Sequence, residues 1–162
     1  MDNCLDNTDK CPYLCKNDPK MTVKTKPRSV LREYEKHLGD RFWMVEEAAS
    51  GVPASALFDL IDLTHLDKKF FAGALNLSTK TLDRYRVDGK QLNPSSGEMI
   101  LKLYSLVKKG EEIFGNADEF GKWIEKPAYG LGFKVPKELM KSTAGVDLVM
   151  DELIRIEYGD LA

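Results

Sequence analysis

Residues 70–86, FFAGALNLSTKTLDRYR, read as two short helices joined by a tight turn. Phe71, Ala72, Leu75, Leu77, Leu82 and Tyr85 fall at spacings that gather them on one shared inner side. Ala72 is small where the second helix must cross close. Asn76 stands where the first helix stops, and it tolerates the left-handed conformation that such a stop needs. Ser78 then caps the second helix by offering its oxygen to free backbone N–H groups. Thr79, Lys80, Thr81, Asp83 and Arg84 remain on the outward side, the side that enters a major groove when such a pair binds DNA. Asp83 works against that use, because it repels phosphate unless it accepts from a cytosine amino group. Helix pairs with short turns also occur in proteins that never touch nucleic acid, so this stretch speaks for the fold and leaves the function open.

Upstream, residues 28–38 form a short helix with Val30, Leu31, Tyr34 and Leu38 as its apolar stripe, ended by Gly39. Phe42, Trp43, Met44 and Val45 are an apolar cluster of ambiguous conformation that packs onto the next helix. That helix opens at Pro53, a good first-turn residue, and runs through Leu63 with Leu57, Leu60 and Ile61 inward. Asp67 starts the first helix of the central pair. Downstream, Asp88, Gly89, Asn93 and Pro94 mark a loop, in which Lys90 can meet a phosphate beside the groove. Ser95 or Ser96 caps a long helix reaching about Lys109, with Gly110 as its near-stop. It carries Met99, Ile100, Leu101, Leu103, Tyr104, Leu106 and Val107, a stripe wider than one core face requires. The expectation is a buried central helix with part of its surface meeting a second copy, an arrangement that suits a palindromic DNA site.

From Asn116 the character changes. Ala117, Phe120, Trp123 and Ile124 make a short amphipathic helix that Pro127 terminates. Gly130 and Gly132 lie in a loop, and Pro136 opens a helix bearing Leu139 and Met140. Ser142 and Thr143 can cap a last helix with Val146, Val149, Leu153 and Ile156 at three- and four-residue steps, ended by Gly159. The whole reads as all-α.

At 162 residues the chain holds one ordinary domain or two small ones sharing a core. No apolar run approaches the roughly 20 residues of a bilayer span, and the start MDNCLDNTDKCPYLCKNDPK is polar and acidic, unlike a secretory signal. A cytoplasmic protein without membrane contact is expected. The net charge of −2 hides an asymmetry. Residues 64–115 carry nine Lys/Arg against six Asp/Glu, whereas 116–162 carry six against nine. A mildly basic middle beside an acidic end suits a nucleic-acid face next to a protein-binding face. Cys4, Cys11 and Cys15 are an odd set in a chain with His37 and His65 far away, so neither a disulfide framework nor a metal site is expected. Residues 1–27 show no hydrophobic period and read as a disordered tail.

Chemistry is sparse. There is no GxGxxG or GxxxxGK[ST] phosphate cradle, no HExxH or CxxC pair and no GxSxG nucleophile signature. Glu111 with Glu112 and Asp151 with Glu152 are adjacent in sequence and point apart on a helix. With neither histidine beside a nucleophile, acid–base catalysis has no carrier; no enzyme, cofactor or catalytic residue is expected.

The runs STKTLDRYR, GKQLNP, EEIFG, FGKWIEKP, LGFKVPKELM and GVDLVMDELIRIEYG together resemble the Xre/MbcA/ParS antitoxins, bacterial partners of RES-domain toxins. The resemblance covers roughly residues 50–162. Its most specific part is C-terminal, where Trp123, Pro127, Leu131, Gly132, Pro136, Leu139, Gly145, Leu153, Ile156 and Gly159 match. Phe133 departs from it, standing where a second glycine is usual, as does Gly97 at a helix start that often carries Glu. Residues 1–49 match no known pattern.

The resemblance implies an Xre-like helix-turn-helix bundle over 28–115 and a small helical toxin-binding domain over 116–162. It implies an antitoxin of a type II system that covers the active-site cleft of a NAD-consuming RES toxin and represses its own operon. Thr79, Lys80 and Arg84 are then the candidates for base edges. Ser78, Thr81, Arg86 and Lys90 are the candidates for phosphates of the operator, with Lys68 and Lys69 as further candidates. Ile154, Arg155, Tyr158, Gly159, Asp160 and Leu161 are the candidates for plugging the toxin, an aromatic anchor with a polar rim. The alternative is a stand-alone helix-turn-helix regulator whose C-terminal domain only dimerises.

Overall fold

A computed structural model describes residues 30–159. The N-terminal tail with its three cysteines lies outside the described residues. Among those described, nine α-helices and two short 3-10 turns succeed one another without a β-strand, so the expected all-α class is the observed one. In order they are α1 (Val30–Tyr34), α2 (Arg41–Ser50), α3 (Ala54–Thr64), α4 (Lys68–Ala74), α5 (Thr79–Asp88), α6 (Pro94–Phe114), α7 (Ala117–Ile124), α8 (Pro136–Leu139) and α9 (Thr143–Glu157). The apolar cluster at residues 42–45 forms part of α2, started by Asp40, whose carboxylate accepts from the Phe42 and Trp43 amides. Trp43 and Met44 pack on the core while Phe42 and Val45 face outward.

Everything is laid around α6, which packs against α2, α3, α7 and α9. Its wide stripe of Met99, Ile100, Leu101, Leu103, Tyr104, Leu106 and Val107 is buried entirely within the chain. The expectation that part of it meets a second copy is therefore corrected: neighbouring helices occupy all sides of the stripe. Two boundaries are corrected as well. The cap is Asn93, whose side chain accepts from the Ser96 amide at 2.8 Å, because Pro94 occupies the first helical position and leaves Ser95 and Ser96 inside the first turn. Gly110 is no stop. The helix continues to Phe114 and ends at Gly115, which takes the left-handed φ of 89°.

Gly110 has a different job. A β-carbon there would lie 2.3 Å from the Phe120 ring, so its absence lets α7 lie directly on α6. Phe120 in turn stacks with Phe114 and Trp123, closing an aromatic cluster at the C-terminal end of α6. Gly97 plays a similar part near the other end, where a β-carbon would meet Val52 at 3.0 Å. Val52 is fully buried, and its carbonyl accepts from the Leu92 amide at 2.8 Å.

Candidate functional site

The central pair folds as its residues dictate. The Asp67 carboxylate caps α4 by accepting from the Phe70 amide at 2.7 Å. The helix ends where the Leu77 amide donates to the Ala72 carbonyl at 2.9 Å and Asn76 takes φ 53°. Ser78 Oγ accepts from the Thr81 amide at 3.0 Å and starts α5, which Gly89 ends at φ 59°. Phe71, Ala72, Leu75 and Leu82 are buried between the helices, with Leu77 and Tyr85 half-buried at the rim. The inner side read from sequence is the inner side of the fold.

Of the seven residues assigned to DNA, Thr79, Lys80 and Arg84 project from consecutive turns of α5 and are exposed. The other four carry internal ties. Ser78 and Thr81 bond each other through their hydroxyls at 2.8 Å. The Arg86 guanidinium lies over the Phe58 ring at 5.3 Å. Lys90 pairs with Asp88 at 3.4 Å, and its carbonyl accepts from the Ala54 amide, which pins the loop beside α3. Asp83 forms an ion pair with Lys68, so Lys68 holds α4 to α5 and offsets the negative charge on the outer face. Val87, 85% exposed on this same face, escaped the sequence reading because its apolar character pointed inward. A valine there can meet a thymine methyl.

At the opposite end, α9 is moored to α6 by Lys102–Asp147 at 2.8 Å and Lys109–Glu157 at 2.7 Å. Glu152 is buried on α9; its carboxylate accepts from the Gly130 amide at 3.1 Å and pairs with Arg155 at 3.0 Å. Asp147, Glu152 and Glu157 are thus engaged in internal ion pairs, and the C-terminal acidity read as a recognition feature largely serves the chain's own packing. Ile154 and Tyr158 stand one turn apart on the outward side, Tyr158 at 81% exposure. Arg155 lies between them in sequence but is tied to Glu152, and Gly159 turns the chain at φ 72°. Asp160 and Leu161 lie outside the described residues.

The turn that Glu152 holds, Tyr129–Leu131, leads into Gly132 and Phe133, whose φ values of 64° and 60° are both left-handed. Tyr129 and Phe133 meet edge to face at 5.4 Å on the surface. Sequence reasoning passed over this pair. The available signal was a bulky residue directly after Gly132, at a step where the chain needs another glycine.

The shifted ionisations belong to the frame. Burial, then the adjacent Glu35, pushes Tyr104 up to about 12. Burial and a 2.7 Å hydrogen bond to Glu47 raise Tyr34 further. Lys108 is raised by its hydrogen bonds to Glu111 and Glu35. Among the described residues no cluster of three or more His, Cys, Asp or Glu side chains is placed to hold a metal ion. No helix among them is long and apolar enough to cross a membrane.

A capped helix-turn-helix with an exposed polar second helix, joined through one long helix to a compact helical module, defines a two-module binding protein. The chain belongs to the Xre/MbcA/ParS antitoxin family. Residues 44–103 match the antitoxin Xre-like helix-turn-helix domain, and residues 109–159 match the antitoxin Xre/MbcA/ParS C-terminal toxin-binding domain. The Prs ADP-ribosylating antitoxin of Sphingobium sp. (strain YBL2) is 30% identical over 132 residues, covering 76% of this chain and 81% of that protein. Antitoxin Xre of Yersinia enterocolitica serotype O:8 / biotype 1B (strain NCTC 13174 / 8081) is 26% identical over 145 residues, covering 85% and 94%.

Proposed function

We propose that this antitoxin neutralises a RES-domain, NAD-consuming toxin by covering its active-site cleft, and that its helix-turn-helix represses the operon encoding the pair. The carrying observation is the polarity of the molecule. A face with Lys80 and Arg84 sits on α5, and an exposed apolar pair, Ile154 and Tyr158, sits on α9, with α6 rigidly between. The name of the Sphingobium relative couples an antitoxin with ADP-ribosylation, chemistry that draws on NAD. The protein acts by binding, without catalysis or cofactor, in the cytoplasm, as a homodimer within a larger toxin–antitoxin complex. The toxin-binding domain begins at about residue 116, after a helix-turn-helix domain over 28–115.

The test is to purify the chain with the product of the adjacent gene and follow NAD loss. Co-elution with suppressed NAD loss supports the reading, and Tyr158→Ala together with Ile154→Ser should restore at least part of it. Point variants suit this better than removing 154–162, which would also remove Arg155 and the core-packed Ile156. A protein that binds its promoter region yet ignores the adjacent gene product would instead be the stand-alone regulator.

A further inference from the structure

We infer that the Tyr129–Phe133 pair is a second contact point for the toxin, seated in an apolar pocket rimmed by carboxylates, and that it selects the cognate toxin among related ones. This rests on the toxin-binding reading above. Phe133 holds φ 60°, a conformation that a bulky side chain adopts only under steric strain. Burial does not compensate: Phe133 is 69% exposed and Tyr129 65%. Strain retained under an outward-facing aromatic ring is the pattern of a residue kept for what it meets in a partner.

The loop is built to present that ring. The Phe133 amide donates to the Ala128 carbonyl at 3.0 Å, the Ala128 amide to Lys134 at 3.1 Å, and the Gly132 amide to Tyr129 at 2.9 Å. From beneath, Glu152 receives the Gly130 amide, where any β-carbon would collide with its carboxylate at 2.0 Å. The Arg155 guanidinium reaches the Gly130 carbonyl at 3.5 Å, so the pair is continuous with the α9 face that carries Leu148, Ile154 and Tyr158. A preformed aromatic pair loses little freedom on docking, which is what gives an anchor its affinity. The exposed Lys134 beside it and Arg155 below set a cationic rim, and an apolar pocket with acidic edges is its complement. The whole feature lies within residues 109–159, the toxin-binding domain.

The experiment measures binding of the full chain and of Phe133→Gly, Phe133→Asn and Tyr129→Ala to the purified product of the adjacent gene by calorimetry, with melting curves for each. Each variant should bind at least about tenfold more weakly. Phe133→Gly and Phe133→Asn should melt no lower than the parent, because glycine and asparagine accept the left-handed step. Parent-like affinity in these variants, while Ile154→Ser loses affinity, overturns the inference and leaves the toxin reading standing. A melting temperature lowered by more than about 4 °C in Phe133→Gly assigns the ring to the fold and overturns it too. Self-association that Phe133→Gly abolishes, with toxin affinity intact, would mark an interface between copies instead and overturn it as well. If the unaltered protein does not bind the adjacent product, both readings fall.

Discussion

Replacing Gly110 with alanine sets two physical effects against each other. In a helix interior alanine is favoured over glycine by about 1 kcal/mol, so local propensity predicts a more stable protein. The tertiary packing predicts the reverse. The new β-carbon would lie 2.3, 2.4 and 2.7 Å from three atoms of the Phe120 ring. Carbon atoms rest at about 3.5–4.0 Å, so the ring must retreat by more than an ångström. It is 2% exposed and flanked by Phe114 and Trp123 at centroid distances of 6.2 and 6.1 Å, which leaves it nowhere to go. Overpacking of this kind costs about 1–3 kcal/mol, and the confined ring places it near the upper end. Net of the propensity gain, the expected loss is about 2 kcal/mol, or about 4–8 °C in melting temperature for a chain of this size. Urea unfolding of the four proteins in a cycle with Phe120→Leu checks it. The smaller side chain should remove most of the penalty, giving a coupling of about 1–2 kcal/mol between the two sites. Equal stabilisation by alanine in both backgrounds would refute the account of α6 and α7 as helices packed directly on each other.

Other perturbations read other parts of the molecule. Lys80→Ala with Arg84→Ala should weaken operator binding and lower the log–log salt slope by about 0.9 for each phosphate left without its cation; unchanged binding across salt titrations would remove α5 as the reading helix. Glu152→Gln should cost about 1–2 kcal/mol and speed amide exchange at Gly130 and Phe133, since the charge-assisted bond to that turn is weakened; protection left at parental levels would argue against the tie. Tyr104 keeps its proton to about pH 12 in the folded state but only to about 10 when unfolded. Its stabilising contribution is complete below pH 10 and is lost as the pH climbs from 10 through 12. Denaturant midpoints should fall over that window by the equivalent of about 2 kcal/mol, and Tyr104→Phe should flatten the decline.

The features legible in the chain were those whose causes are local. Asp67, Asn76, Ser78 and Gly89 set the ends of α4 and α5 through hydrogen bonds and backbone angles spanning a few residues, and their period places Leu82 inside and Lys80 outside. The same holds for Ser142 at the start of α9 and for Val146, Val149 and Leu153 along it. What sequence could not supply was the use made of each surface. Gly110 reads locally as a helix end and becomes a seat for Phe120 only because α7 folds back over it. The broad stripe on α6 speaks equally for a buried helix or a dimer face, and only the arrival of α2, α7 and α9 on its several sides decides between them. Charge behaves likewise: Asp83, Glu152 and Glu157 look free in the chain, and each is engaged by a cation brought from elsewhere on its own or another helix. Periodicity and capping are short-range and so survive in one dimension. Partnership between side chains distant in sequence exists only once the helices have packed.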